Sequence, residues 1–217
     1  IRRRRGFRPV LSIALGLSMG VALLAGVPWA AGAKTIADDW EVVTGAGLVD
    51  GSDNWTYEDG VFSLQQVKTA GTYALRNTKI TDARNITFDY EVFTPRVATD
   101  QDNVDIYYRS QTAFLKESLV ISNNKYGTFV CDSIDWKKSF GGMPGLETYQ
   151  LDGWNKVRVA AKDTRVTVTA VEYDYTSEFH LAASNDAKLA RGGVYFRITI
   201  SEDMIRNHAA EKAMIRN

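Results

Sequence analysis

Cysteine occurs only once in these 217 residues, at Cys131, so the chain holds no intramolecular disulfide framework. Histidine is almost as scarce: His180 and His208 stand alone, with no Cys/His cluster, and supply no dedicated zinc site. Neither has a Ser or Cys nucleophile in recognisable context, which leaves a catalytic triad unsupported. Net charge is missing as well, because 26 basic side chains balance 26 acidic ones. With 45% hydrophobic against 24% charged residues the composition is that of a globular protein and excludes intrinsic disorder.

Acidic residues are absent from positions 1–33, which carry Arg2, Arg3, Arg4, Arg5 and Arg8. Positions 34–217 therefore hold 21 bases against 26 acids, a net charge of −5. Nucleic-acid affinity comes largely from neutralising phosphates, so this acidic part argues against DNA and RNA as partners.

Residues 9–33 contain no charge at all and follow the arginine cluster, the pattern of a signal peptide or of an N-terminal transmembrane anchor. The small-residue end Ala31-Gly32-Ala33 resembles a cleavage site that would release a domain starting at Lys34. If the segment is retained as a hydrophobic helix, its 25 uncharged residues cross a membrane core of about 30 Å. Gly16 and Gly20 would then form a small-residue face for packing against integral membrane proteins. Either outcome leaves the arginines in the cytoplasm and exports residues 34–217 to the periplasm or the extracellular side.

After Lys34 the period of the hydrophobic pattern becomes two. In Ile86-Thr87-Phe88-Asp89-Tyr90-Glu91-Val92 the apolar side chains share one face and the polar ones the other, which predicts a strand with one buried side. Similar runs cover 104–109, 119–122, 156–160, 165–171 and 194–200, with weaker ones at 40–43, 61–67 and 73–76. Asp50-Gly51, Asp59-Gly60, Asn123-Asn124, Gly141-Gly142, Asp152-Gly153 and Gly192-Gly193 supply turn signals between them. No long amphipathic helix interrupts the series, so the expected fold is an all-β antiparallel sandwich or barrel over 34–200. At 201–217, Ser201 suits a cap, Glu202 and Asp203 suit a first turn, and Ile205, Ala209 and Ala213 recur every four residues. That predicts a short C-terminal helix. The tetrapeptide Met204–Asn207 recurs as 214–217.

The stretches Asp39-Trp40, Trp55 through Phe62, 86–93, 103–109, 153–158 and 193–196 together resemble the concanavalin-like (laminin-G-like) jelly-roll sandwiches. They are similar in particular to the bacterial secreted domain family labelled 3-keto-disaccharide hydrolase. The resemblance implies a jelly roll over roughly residues 38–200 and, as one function, processing of a modified disaccharide. Related laminarinase-like enzymes carry Glu-x-Asp-x-Glu on one strand. Here the stretch reads Thr87-x-Asp89-x-Glu91, with a hydroxyl in place of the nucleophile. Asp89 and Glu91 are thus weak catalytic candidates, and the reading leans away from an enzyme.

Sugar rings stack on aromatic side chains, and Trp136, Trp55, Tyr107 and Tyr149 are the chosen ligand-binding candidates. Trp136 lies in the long glycine-rich segment 131–147, a candidate functional loop. Asp100, Asp102 and Asp105 offer oxygen ligands of the kind calcium takes, although their spacing departs from the helix-loop-helix calcium pattern. No other metal or cofactor is expected. Together these features describe an exported, non-catalytic module that binds a glycan or a protein. The alternatives are a membrane-anchored accessory subunit of an inner-membrane complex and a glycoside-processing enzyme.

Overall fold

Alternating strands bury one side each, and two sheets facing each other satisfy all of them at once. The computed structural model describes residues 34–45, 47–110, 119–132, 139–142, 149–180, 192–210 and 213–216, all within the compact unit 32–217. Among them no helix is long and apolar enough to cross a membrane, and the segment 9–33 with Gly16 and Gly20 lies outside them.

The strands are β1 (Thr35–Ala37), β2 (Trp40–Val43), β3 (Trp55–Glu58), β4 (Val61–Leu64), β5 (Gly71–Asn77), β6 (Ile86–Phe93), β7 (Asn103–Ser110) and β8 (Leu119–Asn124). They continue with β9 (Gly127–Asp132), β10 (Ser139–Gly142), β11 (Trp154–Lys162), β12 (Arg165–Ala170), β13 (Tyr175–His180), β14 (Gly193–Ile200) and β15 (Met214–Arg216). An eight-stranded sheet runs β1-β2-β5-β14-β7-β8-β9-β10, and a seven-stranded sheet runs β13-β12-β11-β6-β15-β4-β3. All pairings between these strands are antiparallel. The inner faces meet in one core that includes Trp40, Phe62, Tyr90, Val104, Ile106, Val157 and Ile198. Trp40 stacks on Phe196 with ring centroids 4.0 Å apart, tying β2 to β14.

Three expectations are corrected, the first being that Gly141-Gly142, a turn signal in the sequence, ends strand β10 and pairs with β9. The pair Asn123-Asn124 belongs to β8, and the chain turns two residues later. The strand can continue because the buried Asn123 amide donates to the Val104 carbonyl at 2.9 Å while its oxygen accepts the Thr128 hydroxyl at 2.9 Å. The C-terminal stretch is helical only over α1 (Glu202–Asn207), capped by the Ser201 hydroxyl, which accepts from the Met204 amide. It then returns as β15 into the middle of the seven-stranded sheet, with Ile215 fully buried between Phe62 and Val92. A slot between β4 and β6 offers hydrogen bonds on both sides, and these outweigh the helical periodicity of the tail.

Candidate functional site

The outer face of the seven-stranded sheet is laced by charge pairs across its strands. Arg158 of β11 donates to both Asp89 oxygens at 2.8 Å and holds that carboxyl below its usual range. Glu91 accepts from Arg216 of β15, whose guanidinium lies 4.1 Å from the Trp154 ring centroid. Arg165 of β12 pairs with Glu178 of β13. Asp89 and Glu91 are therefore engaged in cross-strand pairs on a half-solvated sheet face.

Asp100, Asp102 and Asp105 take three separate roles. Asp100 is held by Lys125 and by the Tyr126 hydroxyl at 2.8 Å. Asp102 is buried, and its oxygens accept from the Thr99 amide and hydroxyl and from the Ser201 amide and hydroxyl at 2.6–2.9 Å. It pins the loop before β7 to the start of α1. Asp105 stands within β7. Among the described residues no group of three or more His, Cys, Asp or Glu side chains could hold a metal.

The aromatic candidates divide as well. Trp55 is 3% exposed and Tyr149 8%, both in the main core. Trp55 is buried while Tyr57, on the same side of β3 but nearer its end, is exposed, and the Tyr149 hydroxyl meets Thr94 Oγ1 at 2.7 Å. Trp136 lies outside the described residues, as does most of the segment around it. Tyr107 lies on the outer face of the eight-stranded sheet but is itself only 2% exposed, buried in a second apolar cluster with Val43, Ala74, Val120 and Tyr195.

Register lays the side chains of that face in three rows. One runs Glu41, Arg76, Tyr195, Tyr107, Val120; the next Val43, Ala74, Arg197, Asp105, Ser122; the third Thr72, Thr199, Asn103, Asn124. Glu41 and Arg76 form a salt bridge and keep 18% and 23% of their side chains exposed, so water reaches this edge of the face. The Arg197 guanidinium lies over the Tyr107 ring at 4.4 Å. Buried polar atoms without a hydrogen-bond partner gather here: Asn103 Oδ1, Asp105 Oδ1 and Arg197 Nε, on the adjacent strands β7 and β14. Such atoms cost free energy in a folded protein unless another group meets them. Burial pushes the Asp105 carboxyl above the ordinary range, with the Arg197 charge and the Ser122 hydroxyl opposing that shift. Asn103 and Thr199 also line a mostly apolar cavity of about 80 Å³ closed by Met204, Ile205, Ala209 and Ala213.

Sequence reading singled out Tyr107 and Asp105 for different reasons and missed Arg197. The polar alternation Tyr195-x-Arg197-x-Thr199 in β14 was the available signal, but one strand does not reveal which neighbours its polar face will meet.

No protein-family model matches the chain, and no curated protein matches it. Among solved structures it is similar to a protein described with endo-acting O-glycanases of the human gut microbiota that initiate mucin breakdown. That match has a TM-score of 0.56 and 10% identity, covering 84% of this chain and 90% of that one. It is also similar to the carbohydrate binding module CBM66 from Bacillus subtilis, at TM-score 0.49 and 9% identity over 82% and 92% of the two chains. A third is the exoplasmic/lumenal domain of VIP36 in its Ca2+- and mannose-bound form, at TM-score 0.48 and 10% identity over 82% and 81%. The architecture makes this chain a concanavalin-like antiparallel sandwich.

Proposed function

We propose that the chain is an exported, non-catalytic glycan-binding module whose binding surface is the outer face of the eight-stranded sheet. The observation that carries this reading is the cluster of Asn103, Asp105 and Arg197 with unmet hydrogen-bonding capacity beside the Tyr107 ring. Sugars present many hydroxyls, and polar groups with unmet hydrogen-bonding capacity answer them. The fold shared with a protein of mucin O-glycan breakdown supports a carbohydrate ligand. The arginine cluster ahead of an uncharged run supports export.

The acids speak for binding rather than hydrolysis. Among the described residues the strands place Glu41 and Asp105 on this face, three strands apart in the order β2-β5-β14-β7. At about 4.8 Å per strand that is on the order of 14 Å. Paired glycosidase carboxylates stand roughly 5–9.5 Å apart.

A glycan array followed by calorimetric titration tests the proposal, with Asn103→Ala as the diagnostic variant. Removing a buried acceptor that has no protein partner leaves the melting temperature unchanged or raised, while the affinity for the bound glycan falls about fivefold, the value of one hydrogen bond. A chain that binds no glycan on the array overturns this function.

A further inference from the structure

The third row on the outer face of the eight-stranded sheet keeps surface in contact with solvent. Thr72 of β5, Thr199 of β14, Asn103 of β7 and Asn124 of β8 stand side by side on four adjacent strands, each half-buried and none charged. Thr72 and Thr199 join their hydroxyls at 3.0 Å, a bond that uses one hydroxyl proton of the two and leaves the other to be donated. Asn124 accepts the Tyr126 amide on its oxygen at 2.9 Å and keeps both Nδ2 protons.

Asn124 leads into the turn between β8 and β9, where Tyr126 is 45% exposed with Lys125 over one side of its ring, 5.0 Å from the centroid. The residue is fixed at both ends. Its amide is held by Asn124, and its hydroxyl donates to Asp100 Oδ1 at 2.8 Å. Lys125 pairs with Asp100, so the charges at this turn cancel. A ring already held in place loses little freedom when a ligand stacks on it. From Asn124 to Thr72 the row crosses the strands β8-β7-β14-β5, roughly 14 Å at about 4.8 Å per step, which is about the length of three pyranose units.

Resting on the glycan-binding reading above, we propose that this row seats an uncharged oligosaccharide laid across the strands, with its end sugar stacked on Tyr126. The Asn124 amide and the remaining proton of the Thr72 and Thr199 pair donate to its hydroxyls. Amides and hydroxyls answer sugar hydroxyls, whereas a sugar carboxylate or sulfate would give up its water here for no ion pair in the row.

The test is calorimetric titration of the full chain, held in a detergent without a sugar headgroup, with neutral cello-, laminari-, xylo- and galacto-oligosaccharides of increasing length. At least one series binds, and its affinity rises with length and levels off at about three units. Tyr126→Ala lowers that affinity about fivefold to tenfold and leaves the melting temperature unchanged, while Tyr126→Phe, which keeps the ring, loses less. Thr199→Val lowers it about threefold. A monosaccharide that binds as tightly as its trisaccharide, or unaltered binding by Tyr126→Ala, overturns the row as the seat and leaves the glycan-binding function standing. Tighter binding of glycans ending in glucuronate or sialate than of their neutral counterparts overturns the uncharged class. Failure of every glycan overturns the function itself.

Discussion

Asp105 is 5% exposed, faces an arginine it does not pair with, and keeps one oxygen unbonded. Burial raises its proton affinity in the folded state above that of the unfolded chain, where an aspartate titrates near 3.9. From about pH 4 upward the unfolded chain has released a proton that the folded chain retains, so this residue makes stability fall as pH rises through that window. Asp105→Asn removes the titration. Urea unfolding at about pH 4 and about pH 7 should therefore show the variant losing less stability, or gaining more, between the two pH values than the native chain. An identical pH response in both proteins would show that Asp105 ionises normally. Asp102, three residues earlier, shows how position decides a carboxylate's role: its oxygens are occupied by Thr99 and Ser201, so it works as a fastening.

At the scale of elements, β15 is the least expected and one of the most consequential. Three residues fill the gap between β4 and β6, with Ile215 opposite Phe62 and Val92 and Arg216 opposite Val61 and Glu91. Without it the seven-stranded sheet would be split into a four-stranded and a two-stranded piece. Ile215 has no exposed surface, and Ile215→Ala should cost about 3 kcal/mol in urea unfolding, the usual toll of a large-to-small change in a packed core. A cost under about 1 kcal/mol would mean that the strand is only loosely attached. The bulge in β7 is equally specific. Arg109 takes φ 54° there, and its Nη2 reaches the carbonyls of Arg84 and Asp163 at 2.6 Å, bridging to the other sheet's turns. Gly192 (φ 140°) packs beside this bulge, where a Cβ would come within 2.3 Å of the Ser110 carbonyl oxygen, so only glycine fits.

Across the whole molecule the two outer faces differ in kind. That of the seven-stranded sheet satisfies its charges pairwise, through Asp89 with Arg158 and Glu91 with Arg216, and behaves as a solvated surface. That of the eight-stranded sheet leaves donors and acceptors unmet around an aromatic base. A ligand that binds there binds only the folded chain, so saturating glycan should raise stability by about 2.7 kcal/mol at a hundredfold excess over Kd. Thermal unfolding with and without the glycan measures this. A ligand that binds in titration but leaves the melting temperature unmoved would place binding on a segment outside the folded sandwich.

Local sequence determined the strand character of most of this chain. The alternation in Ile86–Phe93 and the turn signals at Asp59-Gly60 and Asp152-Gly153 are local properties, and a half-buried strand needs nothing more to be recognised. The acids of that strand likewise read correctly as outward-facing from their period. The tripeptide Met-Ile-Arg marks where such reasoning ends. At 204–206 it forms part of helix α1, and at Met214–Arg216 it is a central strand. The same side chains adopt both states because the first copy follows the Ser201 cap, held by Asp102, and the second meets two open strand edges. The binding face was decided in the same way. Asp105 and Arg197 are 92 positions apart. Only the pairing of β7 with β14 makes them neighbours.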